Sequence, residues 1–227
     1  MFQFNPHVLG EAKAQLQQEG FCRITDVLPT EQAQSLFNEL SKTQYNIALT
    51  QDGKPQELSQ EQLAAMSSGQ RGRLFENIQQ HAAKGVGFVY GRHFINEQSA
   101  EVLKALFSYL NSKPVLNEFA EMSGQKIIRA SAQATCYDKG YFLTRHNDVV
   151  PSEGRVYAYV LGLTPQWHPD WGGLLQFYEQ DGTPTRSYSP IFNSLTIFDV
   201  HKIHAVTYVA PYASAKRYSL TGWFRTV

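Results

Sequence analysis

The stretch KIIRASAQATCY, residues 126–137, alternates between polar and small apolar side chains. Its odd positions carry Arg129, Ser131, Gln133, Thr135 and Tyr137, and its even positions carry Ala130, Ala132, Ala134 and Cys136. A period of two predicts a β-strand. Small side chains on one face would let a helix approach closely, so we expect the polar face to line an interior pocket.

Downstream of this strand, β-branched and aromatic residues dominate, and turn signals recur about every 10 residues. Further strands are predicted at 155–163, 173–178, 194–199, 204–210 and 216–225. Upstream, the pattern predicts a helix at 11–19 and a strand at 21–24. A second helix is predicted from residue 30 onward with Thr30 as N-cap, and a third helical block over 97–122 with an interruption at Pro114. Helices followed by many short strands predict an α+β, mainly β fold, in which the helices support a sandwich or jelly roll.

Residues 44–95 form the least regular part of the sequence, with the polar run QDGKPQ and the glycine-rich run KGVGFVYGRHF. We interpret this part as an excursion from the core and as a candidate lid. The length of 227 residues predicts a single domain, with helical support and the lid in 1–125 and the β core in 126–227.

The charge balance limits the possible partners. With 20 Lys and Arg against 20 Asp and Glu, the net charge is zero, which argues against direct nucleic-acid binding and against an anionic membrane surface. No apolar run reaches the ~20 residues of a membrane-spanning helix, and the opening MFQFNPHVLG lacks a secretion signal, so a cytoplasmic protein is expected. Cys22 and Cys136 match no zinc pattern and are expected to be free thiols.

The motif RHND contains a histidine and a carboxylate two positions apart, at His146 and Asp148. In an extended chain this spacing points both side chains to one side. The motif HKIH offers His201 and His204 as a third ligand, and we favour His204 because it directly precedes the predicted strand AVTYV. Two histidines and one carboxylate leave open positions on an octahedral metal, which suits non-haem iron(II) better than zinc.

Thirteen residues after His204 comes Arg217, in the run RYSLTGWF. On a strand, Arg217, Ser219, Thr221 and Trp223 would share one face. A buried guanidinium needs an anionic partner. Either a carboxylate-bearing cosubstrate such as 2-oxoglutarate or a core Asp or Glu would satisfy it.

The runs CYDKGYFLTRHND, WGGLLQFYEQDG, HAVTYV and RYSLTGWF, in this order, resemble the prolyl-hydroxylase-like 2-oxoglutarate oxygenases over residues 126–227. The resemblance is closest to bacterial and fungal proteins related to ribosomal prolyl hydroxylases, and the run FCRITDVLPTEQA is similar to the start of these enzymes. It implies a double-stranded β-helix (cupin-like jelly roll) with supporting N-terminal helices. It also implies the cofactor Fe(II), with 2-oxoglutarate and O2 as cosubstrates and possible dependence on ascorbate.

The resemblance implies roles for residues at matching positions of this sequence. It assigns the metal to His146, Asp148 and His204, the cosubstrate to Arg217, Ser219 and Tyr137, and the substrate pocket to Trp223, Thr221 and Arg155. No catalytic residue beyond the metal ligands is implied. One departure stands at Gly162, where hypoxia-type relatives carry a second tyrosine for the cosubstrate, so that contact is absent or replaced.

The expected function is therefore hydroxylation of a prolyl residue in a protein, with a substrate from the translation machinery and release of succinate and CO2. One alternative is the same chemistry on a free amino acid or another small molecule. A second is a non-catalytic metal-binding domain of the same fold. A zinc hydrolase would leave Arg217 and Ser219 without a role.

Overall fold

The computed structural model describes Phe4 and residues 8–227 of the chain. Within these residues the helices are α1 (Val8–Glu19), α2 (Thr30–Leu40), α3 (Gln60–Ala65), α4 (Ser68–Ala82), α5 (Glu101–Leu110) and α6 (Lys113–Ser123). The strands are β1 (Phe21–Ile24), β2 (Asn46–Gln51), β3 (Lys54–Leu58), β4 (Phe88–Phe94), β5 (Arg129–Ala130), β6 (Gln133–Tyr137), β7 (Phe142–His146), β8 (Arg155–Gly162), β9 (Leu175–Tyr178), β10 (Pro184–Tyr188), β11 (Ser194–Asp199), β12 (Ile203–Val206) and β13 (Arg217–Arg225).

The strands form one antiparallel sheet, in which ten follow the order β1-β11-β8-β13-β6-β4-β7-β12-β9-β10. Of the other three, β2 pairs with β4 and β3, and β5 pairs with β13. The sheet curls, because side chains from β6, β8 and β13 line the same cavity as side chains from β7, β9 and β12. The mainly β fold with supporting helices that the sequence predicts is therefore confirmed. In the part of the chain that the structure describes, no helix combines the length and apolarity needed to cross a membrane.

The alternation predicted for residues 126–137 sets the two faces of this sheet. Gln133, Thr135 and Tyr137 line the cavity, whereas Ala134 and Cys136 belong to the core that the helices cover. The predicted single strand is interrupted at residues 131–132, where Ser131 bonds to Trp223 of β13 from outside the regular ladder. Residues opposite each other on β6 and β13, such as Thr135 and Ser219, point to the same side of the sheet. The polar faces of the two strands therefore line the cavity together.

The helices of the first half form this core with the sheet. The predicted helix from residue 30 onward is α2, whose Ala33, Leu36 and Leu40 are buried at helical spacing. Pro29, and not Thr30, is the N-cap of α2, and no side chain caps it. The predicted 97–122 block is two helices, α5 and α6, separated before Pro114, and α6 ends at Gly124 in the left-handed conformation that glycine allows.

The interpretation of residues 44–95 as an excursion from the core is wrong. Strand β4 pairs through one edge with both β6 and β7 and through the other edge with β2. The buried side chains of Ile47, Leu49 and Val89 pack with α4 in a core of their own. Because β4 is hydrogen-bonded along both edges, it cannot move as a lid without breaking the sheet.

Both cysteines are free and buried, as the sequence predicts. Burial raises the pKa of the Cys22 and Cys136 thiols from 9.0 to about 12.

Native protein at pH 8 should therefore not react with a thiol-specific chromogenic reagent, whereas protein unfolded in urea should react at both sites. Because the folded pKa values are raised, the protonated thiols stabilise the fold below pH 9, and this contribution should decline between pH 9 and about 12. Rapid labelling of either thiol in native protein would contradict this.

Candidate active site

Three side chains converge at one end of the cavity. The strand pairing sets His204 of β12 directly opposite His146 of β7, and Asp148 follows two residues after His146. The Nε2 atoms of His146 and His204 lie 3.6 Å and 3.5 Å from the two carboxylate oxygens of Asp148. One ligand atom from each residue lies within 4.8 Å of the others. These three residues could therefore bind one metal ion.

Backbone carbonyls orient both imidazoles. Nδ1 of His146 lies 2.9 Å from the Thr144 carbonyl, and Nδ1 of His204 lies 3.0 Å from the Lys202 carbonyl. With a proton on Nδ1 donated to the carbonyl, each Nε2 presents a lone pair to the cluster. Burial, and then the neighbouring His146, lower the pKa of His204 to about 4, so its imidazole is neutral at pH 7.

The other candidate ligand, His201, lies apart from this cluster. Its side chain is 78% exposed, and its Nδ1 is 2.7 Å from a carboxylate oxygen of Asp199. The backbone N–H of His201 also donates to Asp199. His204, by contrast, is 5% exposed. Of the two histidines in HKIH, only His204 faces the cavity.

The Arg217 guanidinium lies in the same cavity, deep between the two halves of the sheet. The residue is 5% exposed, and its Nη1 is buried without a hydrogen-bond partner. Burial lowers the pKa of Arg217, and the nearby Tyr137 opposes this effect. The guanidinium lies 5.1 Å from the centre of the Tyr137 ring. Among the described residues no carboxylate pairs with Arg217, so the alternative of a structural ion pair has no candidate there.

Hydroxyl groups surround this guanidinium. Ser219 Oγ lies 2.8 Å from Thr135 Oγ1, so the two hydroxyls hold each other in place. Tyr137 stands opposite Arg217 in the pairing of β6 and β13, and its ring stacks on Tyr90 at 5.3 Å. This end of the cavity is thus positively charged and rich in hydroxyl groups.

Thr221 and Trp223 continue along β13 toward the opposite end of the cavity. Gln133 donates to the Thr221 hydroxyl at 3.3 Å. The guanidinium of Arg155 lies 3.7 Å from the Trp223 ring centre, and its Nε donates to Glu153 at 2.9 Å. Arg155 Nη1 is 3.9 Å from an Asp148 carboxylate oxygen, so it links the metal cluster to this end.

The structure explains the departure at Gly162. This residue stands opposite Ser219, on the face that points into the sheet's interior. A Cβ at Gly162 would lie 2.6 Å from the Ile191 carbonyl oxygen and 3.0 Å from Ser194 Oγ. The segment before β11 therefore occupies the space that a side chain would need, and the contact made by the relatives' tyrosine is absent here.

Sequence reasoning missed Tyr90 and Phe88, which line the cavity from β4. Burial raises the pKa of Tyr90, and the charges of Arg92 and Asp148 act on it in opposite directions. The alternation of Phe88, Tyr90 and Arg92 was the available signal, but the interspersed glycines hid it.

The residues present fit iron(II) and 2-oxoglutarate. Two imidazole nitrogens and one carboxylate are the donor set of non-haem iron(II) sites with open positions. The unpartnered Nη1 of Arg217 supplies a buried donor for a carboxylate in the same cavity of about 240 Å3. A dicarboxylate that reaches from the metal cluster to Arg217 would satisfy both ends.

Comparison with known proteins agrees with this geometry. Residues 132–225 match the model of the 2OG-Fe(II) oxygenase superfamily. Over 106 residues the chain is 33% identical to prolyl 3-hydroxylase OGFOD1 of Xenopus laevis, and over 86 residues it is 35% identical to OGFOD1 of Mus musculus. These matches cover 43% and 35% of this chain but only 20% and 15% of the two relatives.

Solved structures share the fold over nearly the whole chain. A Pseudomonas putida prolyl-4-hydroxylase aligns with a TM-score of 0.67 and 19% identity, covering 96% of this chain and 98% of that one. A Trichoplax adhaerens prolyl hydroxylase, solved with a peptide fragment of hypoxia inducible factor, aligns with a TM-score of 0.63 and 19% identity, covering 96% and 88%. The predicted double-stranded β-helix is confirmed by these similarities.

Proposed function

We propose that this chain is a prolyl-hydroxylase-like oxygenase of the 2OG-Fe(II) superfamily, whose model matches residues 132–225, and that it hydroxylates a prolyl residue of a protein. The reaction consumes one O2 and one 2-oxoglutarate, inserts one oxygen atom into a C–H bond, and releases succinate and CO2. The observation that carries the proposal is the coexistence of the His146, Asp148 and His204 cluster with an unpartnered buried Arg217 in one cavity.

We assign iron(II) to His146, Asp148 and His204, and the far carboxylate of 2-oxoglutarate to Arg217. Bound together, iron and cosubstrate supply oxidative decarboxylation coupled to C–H hydroxylation. The protein's own groups bind and orient. Arg217 would pair with the carboxylate through its free Nη1, and Ser219 and Tyr137 would add hydroxyl donors beside it.

Apolar side chains around the cluster would exclude water from the reacting groups. Leu143, Leu175, Phe198 and Val206 line the cavity near the two histidines. The Thr144 and Lys202 carbonyls hold the imidazole Nδ1 protons, so both Nε2 atoms stay available for the metal. We assign Thr221, Trp223 and Arg155 to the substrate side of the cavity, because they lie toward the end away from Arg217.

The proposed protein substrate rests on the similarity to prolyl 3-hydroxylases. The proposed translation-machinery target rests on the resemblance of the sequence motifs to ribosomal prolyl hydroxylases. We further propose that the helices of 1–125 and the strands of 126–227 act as a single domain. The hydrophobic core that contains α1, α2, α5 and α6 together with β8, β11 and β13 supports this.

Comparative mass spectrometry tests the function. Proteomes of cells with and without the gene should differ in at least one prolyl peptide that is heavier by one oxygen atom when the gene is present. Purified protein with iron(II), 2-oxoglutarate and O2 should then modify the unmodified peptide and release succinate in equal amount. Oxidation of free amino acids, with every peptide left unchanged, would instead favour the small-molecule alternative.

A further inference from the structure

Strand β4 extends the cavity wall outward. Its pairing with β6 sets Arg92 opposite Thr135 and Phe94 opposite Gln133. Thr135 and Gln133 both line the cavity, so Arg92 and Phe94 share the cavity-facing side of the sheet. Tyr90, two residues earlier on this face, lies inside the cavity, whereas Phe94 is 53% exposed. We call Arg92 and Phe94 the β4 shelf.

The guanidinium of the shelf is held in one orientation. Arg92 Nε donates to Glu57 Oε2 at 2.9 Å, and Arg92 Nη2 bonds to the same oxygen. Glu57, on β3, also accepts from Asn46 Nδ2 at 2.9 Å. The Arg92 guanidinium lies 4.7 Å from the Phe94 ring centre. The half-exposed Phe94 ring and the fixed guanidinium therefore present an apolar face and hydrogen-bond donors side by side.

The chemistry of the shelf favours a neutral acceptor. Glu57 balances the charge of Arg92 and occupies its Nε and Nη2 donors. The Tyr90 hydroxyl accepts a further N–H of Arg92, and the N–H groups that remain suit a carbonyl oxygen better than a further carboxylate. The exposed face of Phe94 offers an apolar contact next to it.

The distance from the cavity to the shelf distinguishes between classes of substrate. From Tyr90 inside the cavity to Phe94 outside, β4 spans roughly 13 Å at ~3.3 Å per residue. A free amino acid bound near the metal cluster cannot reach that far. An extended peptide offers a carbonyl and a side chain at each step along this distance.

We propose that the β4 shelf is a substrate-specificity site, at which Arg92 binds a backbone carbonyl and Phe94 an apolar side chain of the peptide that flanks the target residue. Glu57 is its positioning residue. This inference rests on the proposed function, since it names the kind of chain that enters the same cavity.

The test compares peptide and free amino acid on variants of the shelf. Acetylated and amidated peptides of about seven residues, long enough to cover the shelf at ~3.3 Å per residue, are first screened with the iron-loaded enzyme for gain of one oxygen atom. The best peptide and free L-proline are then titrated calorimetrically into manganese-loaded protein that contains 2-oxoglutarate. Thermal unfolding of each variant establishes that it is folded.

Arg92→Met should raise the peptide Kd about 10-fold, the effect of losing one hydrogen bond to a charged group, and change the L-proline Kd by less than about twofold. Glu57→Ala should weaken peptide binding similarly, and Glu57→Gln, which keeps an acceptor for Arg92 Nε, should restore most of it. The Kd of 2-oxoglutarate should not change in any of these variants.

Arg186→Met is the matched control. Arg186 also lies beside a glutamate, at 3.5 Å from Glu19 Oε2, and over an aromatic ring, at 5.7 Å from the Phe21 centre, but it stands on β10, which β7, β12 and β9 separate from β4. Its replacement should leave peptide binding unchanged. If peptides are hydroxylated and Arg92→Met binds them as tightly as the wild type, the β4 shelf is not a specificity site and the proposed function stands. If no peptide is bound or hydroxylated and free proline is, the proposed function fails and the shelf fails with it.

Discussion

His204→Ala should lose iron binding and succinate release, whereas His201→Ala should retain both. The two histidines are three residues apart in HKIH, yet His204 is 5% exposed against the Asp148 carboxylate and His201 projects into solvent beside Asp199. Removal of a metal ligand should lower iron affinity by more than the ~10- to 100-fold that loss of an outer-shell partner costs.

Anaerobic titration with iron(II), and succinate release measured by NMR, give the two readouts for this pair of variants. His204→Gln, which preserves more of the side-chain volume, separates loss of the ligand from loss of packing. Iron binding that survives in His204→Ala but not in His201→Ala would show that our ligand assignment is wrong. Equal effects of both substitutions on thermal unfolding would point to packing instead.

Arg217→Met should raise the Kd of 2-oxoglutarate by about 30-fold or more, the usual effect of removing one partner of a buried charged pair, with iron binding retained. In the wild type, saturating 2-oxoglutarate should raise the unfolding temperature, because a ligand at 100 times its Kd adds about 2.7 kcal/mol of stability. At the same concentration a variant with a 30-fold higher Kd should gain only about 0.9 kcal/mol, about a third of the wild-type response.

The stability of the cosubstrate-free protein gives a second, independent readout. Because Arg217 is buried without a carboxylate among the described residues, methionine should be neutral or stabilising there in the absence of 2-oxoglutarate. Arg71→Met, on the exposed face of α4, is the control for loss of a positive charge. A cosubstrate Kd unchanged in Arg217→Met would remove this residue from our binding proposal, and strong destabilisation of the cosubstrate-free variant would indicate a structural ion pair.

Local patterns were enough to predict much of the β half. The two-residue spacing of His146 and Asp148, and of Arg217 and Ser219, needs only an extended backbone to bring each pair to one side. The same alternation in residues 126–137 predicted which face of β6 the helices cover. These features depend only on residues that are close together in the sequence, so one sequence is enough to predict them.

What could not be predicted depends on distant partners. Strand β4 contains Gly91, a residue that is disfavoured in strands, and its identity as a strand depends on pairing with β2 and with β6, some forty residues away in sequence in each direction. The ion pair of Glu57 and Arg92 arises from that pairing, so no local pattern indicated it.

Along β13 the side chains at every second position line the cavity and change in chemical type. Arg217 is charged, Ser219 and Thr221 carry hydroxyl groups, and Trp223 is aromatic. Deleting a single residue within this strand would turn the side chains on one side of the deletion to the opposite face, so that residues such as Leu220 or Phe224 would point into the cavity. Homologous sequences should therefore tolerate length variation in the loop before Arg217 but not between Arg217 and Trp223.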